Sequence, residues 1–282
     1  MQALIDAESG EAPASLEALR HRYLELAQER GGAAENVDAT EDIIIAGRVP
    51  ARTYTPLHGT RVEGRVLWLH GGGWIMGDLE GFDRVCRSLA NAGGMEVVSV
   101  DYRLAPECPY PAAVEDADAA VAWGLERGPV VVGGDSAGGN LAAVAARHAG
   151  DAVRAHVLVY PATDATMAGA SYGEDLPMLR AEEMRACWSA YAPDCAPDEP
   201  DLSPLHGDLS GVSPALVAVA GVDVLRSDGE AYADALRGAG VAVEFACFDD
   251  MTHGFLRWGG VVDRSRELIE RIGAYAAAAL TD

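Results

Sequence analysis

Residues 130–146 read Val130-Val131-Val132-Gly133-Gly134-Asp135-Ser136-Ala137-Gly138-Gly139-Asn140-Leu141-Ala142-Ala143-Val144-Ala145-Ala146. A β-branched run feeds a tight glycine turn, and an alanine-rich helical run leaves it. That is the strand–turn–helix setting a Gly-x-Ser-x-Gly nucleophile elbow requires. In such an elbow the serine adopts a strained backbone conformation that lifts its hydroxyl above the sheet. Its neighbours are small because strand and helix approach closely. Ser136 is the candidate nucleophile, and the rest of the chain should supply a base, an acid and an oxyanion hole.

The flanking sequence repeats the strand–helix alternation. Upstream, a helical pattern over about 14–30 stops at Gly31-Gly32, and strand signals follow at Ile43–Ile45 and Val49–Tyr54. Arg65–Leu69 reads as a buried strand ending in His70-Gly71-Gly72-Gly73. A helix over about 80–92, a strand at Glu96–Val100 and a helix over about 111–127 lead into the elbow. Downstream come strand Ala155–Tyr160, strand Ala215–Ala220, helix 229–238, strand Val243–Phe248 and helix 262–280. Strands alternating with helices predict an α/β fold with a mostly parallel central sheet covered on both faces. Residues 1–45 and about 163–210, with a helix near 180–191, break the pattern.

The base is sought among seven histidines. His253 lies just after the last predicted strand, at the same end of the sheet as the elbow. His21, His58, His148, His156 and His206 have no such placement. The acid that orients the base is Asp223, which follows the neighbouring strand and keeps the chain order Ser, Asp, His. Asp228 is expected to cap the helix starting at 229. Asp249 and Asp250 are expected at a solvent-facing strand end. Backbone N–H groups of Gly71 and Gly72, with that of Ala137 at a helix start, are the expected oxyanion donors. His70 reads as an organiser of its loop, and Arg103 and Glu107 as braces.

Composition narrows the alternatives. At 282 residues the chain is long enough for one large domain, and no apolar run approaches a membrane span. The start of the chain lacks a signal-peptide pattern, which predicts a soluble cytoplasmic protein. The net charge is −23, and every basic residue is arginine. Lysine-dependent phosphate loops, Schiff bases and Ser–Lys pairs are thereby excluded. The acidic field argues against nucleic acid and anionic membranes as partners. It fits either GC-rich coding or adaptation to high salt. The five cysteines show no Cys-x-x-Cys pair and read as reduced thiols. No metal-ligand spacing and no Gly-x-Gly-x-x-Gly occurs, so neither metal nor cofactor is expected.

Together, His70–Gly73, Asp101-Tyr102-Arg103-Leu104-Ala105-Pro106-Glu107, Gly134–Ala142 and His253-Gly254-Phe255 resemble the hormone-sensitive-lipase-like esterases of the α/β-hydrolase superfamily. The resemblance runs from about residue 50 to 260. It implies a triad of Ser136, Asp223 and His253, with Gly71, Gly72 and Ala137 as oxyanion donors. It also implies a catalytic domain over 46–282 capped by residues 1–45 and the 163–210 insertion. One departure stands out, since Asp223-Val224-Leu225 replaces the family's Asp-Pro-Leu. The implied function is hydrolysis of small short-to-medium acyl esters through an acyl-enzyme, without metal or cofactor. Amide, acetamide or formamide cleavage by the same triad is the alternative. A non-catalytic receptor is remote because His253 is in place. A homodimer through the last strand and helix follows by analogy.

Overall fold

A strand buried on both faces is apolar throughout, and Val66–Leu69 is such a run. Its alternate side chains enter opposite layers of the core, Leu67 and Leu69 on one side, Val66 and Trp68 on the other. The computed structural model describes residues 15–57 and 62–281. Residues 1–14, the start of the expected cap, and His58 lie outside the described residues.

The strands are β1 (Ala39–Ile45), β2 (Val49–Thr55), β3 (Arg65–Leu69), β4 (Glu96–Val100), β5 (Val130–Asp135), β6 (Ala155–Val159), β7 (Ala215–Val222) and β8 (Val243–Thr252). They form one sheet in the order β1-β2-β4-β3-β5-β6-β7-β8. β2 is antiparallel to β1 and β4, and all other neighbours are parallel. The α/β reading therefore holds, with an antiparallel margin at one edge. Residues 39–45, placed by the sequence in the amino-terminal segment, are the edge strand of that margin.

The helices are α1 (Leu16–Arg30), α2 (Leu79–Gly93), α3 (Ala112–Leu125), α4 (Ala137–Ala149), α5 (Ala181–Tyr191), α6 (Arg226–Gly238) and α7 (Asp263–Thr281). Residues of α3, α4 and α6 share one core layer, and those of α2 and α7 the other. Ser15 Oγ caps α1 by accepting the Ala18 N–H, and Asp78 Oδ1 caps α2 by accepting the Gly81 N–H. Helix α4 is buried from Ala137 to Ala146, which is why it carries little but alanine, glycine, valine and leucine.

Three aspartates differ from expectation. Helix α6 begins at Arg226, so Asp228 sits inside its first turn and is buried. It does not cap the helix. Its Oδ2 accepts from the Thr163 and Asp164 N–H groups and the Tyr172 hydroxyl, at 3.0, 3.2 and 3.1 Å, anchoring the start of the 163–210 segment. β8 continues past Phe248 to Thr252, so Asp249 and Asp250 lie within an exposed stretch of the strand rather than at its end. His156 is fully buried, whereas His148 joins Asp118 to Asp201 near the surface.

Candidate active site

β5 delivers Ser136 at the carboxyl end of the sheet with φ 56° and ψ −120°, a conformation side chains rarely adopt. The surroundings hold it there. The Ser136 N–H donates to Val159 O at 2.8 Å, and its carbonyl accepts the Asn140 N–H at 3.0 Å, the first bond of α4. A Cβ on Gly138 would stand 1.9 Å from Leu69 O, so the close strand–helix approach requires glycine there.

β7 and β8 bring up the other two groups. His253, one residue beyond β8, places Nε2 3.0 Å from Ser136 Oγ and Nδ1 2.7 Å from Asp223 Oδ2. Asp223 follows β7 and is 1% exposed. Its Oδ1 accepts the Leu225 N–H at 3.0 Å, so the turn lacking the family's proline is closed by the carboxylate itself. Ser171 Oγ donates to Val224 O in the same turn. With Asp223 as acceptor, Nδ1 carries the proton and Nε2 is free to accept from the serine. Asp228, Asp249 and Asp250 are not bonded to His253. Ser136, Asp223 and His253, separated by up to 117 residues of chain, thus form one continuous hydrogen-bonded line.

The glycine turn after β3 departs from expectation at its first residue. The Gly71 N–H donates to Asp135 Oδ1 at 3.0 Å, so it is already satisfied and is not a free oxyanion donor. A side chain at Gly71 would collide with the same carboxylate, 2.4 Å from Oδ2. Burial pushes the Asp135 carboxyl up to about 6, partly offset by the charge of Arg257 and the Gly71 bond. The N–H groups of Gly72, Gly73 and Ala137 have no acceptor among the described residues, and Ala137 opens α4, where such groups are free by geometry. Gly72 and Gly73 have φ 134° and 58°.

His70 behaves as the organiser its position suggests. It is fully buried, its Nδ1 lies 3.0 Å from Gly71 O, and its ring stacks on Tyr102 at 4.3 Å. Burial lowers its pKa to about 4, so it is neutral. Arg103 bonds Asp116 and Ala112 O and braces the loop after β4. Helix α5 covers the glycine turn. Trp74 stacks on Tyr191 at 4.6 Å with parallel planes and meets Trp188 at 4.1 Å. Sequence reasoning missed Gly73 among the open N–H groups, Asp135 as the acceptor of the Gly71 N–H, and Arg20, whose Nε donates to Ile75 O. Asp135 carries a local signal, a carboxylate on an otherwise apolar strand, whereas nothing local marks Arg20. No group of three or more potential metal ligands occurs among the described residues, and all five cysteines are free. No helix among those residues is long and apolar enough to cross a membrane.

Comparison with known proteins identifies the family. Residues 66–257 match the family described by the alpha/beta hydrolase fold. The chain is 41% identical over 278 residues to the carboxylic ester hydrolase LipN of Mycobacterium tuberculosis (strain ATCC 25618 / H37Rv), covering 86% of this chain and 72% of LipN. It is 34% identical over 272 residues to an ethyl acetate hydrolase of Pseudomonas putida, covering 88% and 85%. A solved esterase of the bacterial hormone-sensitive lipase family superposes with a TM-score of 0.91 at 29% identity, covering 99% of this chain and 96% of that one.

Proposed function

The chain belongs to the α/β-hydrolase family, among the hormone-sensitive-lipase-like esterases, and as a carboxylic ester hydrolase of that group we propose that it works through Ser136, His253 and Asp223. The single observation that carries this reading is the line Asp223–His253–Ser136, with bonds of 2.7 and 3.0 Å. His253 Nε2 takes the hydroxyl proton as Oγ attacks the ester carbonyl. Asp223 holds the imidazole and stabilises the imidazolium that forms. The proton then passes to the leaving alkoxide, and an acyl-enzyme remains. Water, deprotonated by the same histidine, releases the acid.

The developing oxyanion is received by the N–H groups of Gly72, Gly73 and Ala137. Gly73 stands where Gly71 was expected, because the Gly71 N–H is held by Asp135. Each such donor is worth about 10²–10³ in rate. Helix α1 and residues 163–210 form the cap, and α5 roofs the glycine turn through Trp188 and Tyr191. We read the substrates as small esters of short to medium acyl chains, a reading supported by the likeness to an ethyl acetate hydrolase. A homodimer through the outer edge of β8, the last strand in the sheet order, and through α7 completes the proposal. Sedimentation at micromolar concentration tests it, and a monomer throughout would refute it.

Labelling with an organophosphate, followed by mass mapping, tests the nucleophile. One adduct on Ser136, absent from Ser136→Ala, is expected, and an adduct on another residue would defeat the assignment. A panel of p-nitrophenyl esters tests the acyl range, and a kcat/KM maximum at long chains would overturn it.

A further inference from the structure

Arg20, on α1, uses four of its five donors on the loops below. Nε donates to Ile75 O at 2.7 Å, and Nη2 donates to Ala105 O at 3.1 Å. Nη1 and Nη2 also grip Glu107 Oε1 and Oε2 as a fork, each at 2.8 Å. Ala105 in turn donates its N–H to Trp74 O at 2.9 Å. One guanidinium therefore fixes both residues that follow Gly73, Ile75 directly and Trp74 through Ala105. The turn they close is tight. Gly72 O accepts the N–H groups of Ile75 and Met76 at 3.1 and 2.9 Å, and Trp74 holds a φ of 61° that a bulky residue seldom takes.

We infer that Arg20 is a positioning residue for ester hydrolysis, holding the turn whose Gly72 and Gly73 N–H groups receive the oxyanion. The inference rests on that oxyanion reading. Three features carry it. The contact to Ile75 O is short, 2.7 Å, and partly buried against the loop. The fork on Glu107 pre-orients the guanidinium, which a lysine could not reproduce. Trp74 sits in a conformation that needs its neighbours fixed. Arg20 touches no reacting atom and acts only through the turn. The amino-terminal helix is thereby coupled to catalysis.

The test uses Arg20→Met, which keeps the apolar stem and removes every donor, with Arg20→Lys and Arg22→Ala beside it. Arg22 lies on the same helix and pairs with Glu25 and Glu29 at the surface. The readouts are kcat and KM for a p-nitrophenyl ester and Ki for a 1,1,1-trifluoro-2-alkanone, which forms an oxyanion on the serine. A shift of the turn by about 1 Å costs about 100-fold, so Arg20→Met should lower kcat by roughly 10- to 100-fold. KM should stay within about twofold, and Ki should rise in step with the loss of kcat/KM. Arg20→Lys should recover part of the loss, and Arg22→Ala should match the wild type. Arg20→Met with wild-type kcat and Ki, or with a lower melting temperature and unchanged Ki, would overturn the inference. A wild type that binds the ketone no better than the ester defeats the oxyanion reading itself. Tight wild-type binding that Arg20→Met leaves intact defeats this inference alone.

Discussion

The carboxylate of Asp135 accepts the N–H of Gly71 at 3.0 Å, so the residue before the elbow serine holds the first residue of the glycine turn. The elbow and the turn are one unit joined across adjacent strands β5 and β3. Asp135→Ala would leave a buried N–H without an acceptor, a loss of about 1–3 kcal/mol of stability. Activity should fall with it, by about tenfold or more in kcat if the turn shifts by a fraction of an ångström. Asp135→Asn, which keeps an acceptor oxygen, should be much milder. Equal kcat and equal denaturant midpoints for both variants would refute this role.

Asp223 differs from its rivals in reaching the imidazole. Asp223→Asn keeps the shape but can present an N–H to Nδ1, which favours the wrong tautomer. We expect kcat to drop by roughly 10⁴-fold with KM little changed. Asp249→Asn and Asp250→Asn, on an exposed stretch of β8, should leave kcat within about twofold, since exposed substitutions rarely matter. A large kcat loss at either position would reopen the assignment.

Asp228 predicts how stability varies with pH. Burial raises its pKa to about 8, while the bonds from Thr163, Asp164 and Tyr172 work the other way. The folded carboxyl therefore keeps a proton that the unfolded chain releases near its ordinary pKa of about 4. Its stabilising contribution is complete below that value and fades as the pH rises through about 8. Asp228→Asn retains an acceptor for the three donors and cannot ionise. It should match the wild type in melting temperature near pH 5 and exceed it near pH 8.5. Parallel curves for the two proteins across that range would contradict the buried-acid account.

Gly73 and Cys187 should be coupled. A Cβ on Gly73 would lie 2.5 Å from Cys187 Sγ, and its φ of 58° costs a side chain about 1 kcal/mol. Gly73→Ala should lower kcat at least about tenfold by displacing a donor. Adding Cys187→Ala removes the sulfur and should restore a measurable part of that loss. Strict additivity in the double-mutant cycle would show that the thiol is not what the new methyl meets.

Much of the candidate site is legible in the sequence because its signals are local. The elbow announces itself through Gly134 and Gly138, which must be small where strand and helix touch. His253 is marked by its place in the loop after the last predicted strand, and Asp223 by its place after the neighbouring one. Asp228 departs from its expected role for the opposite reason. A carboxylate at a helix start usually caps it, and only the packing of residues 163–172 against α6 turns it inward.

The sequence by itself determined the alternation of strands and helices, the identity of the elbow serine, and the order of its partners. Short-range patterns of size, branching and period encode these features. Tertiary structure alone decided which glycine N–H groups stay free, that Asp135 takes the first of them, and that Arg20 reaches the loop from 55 residues away. Those pairings depend on which strands lie side by side and in what register. A hydrogen bond between distant residues exists only once the sheet has set both ends within about 3 Å.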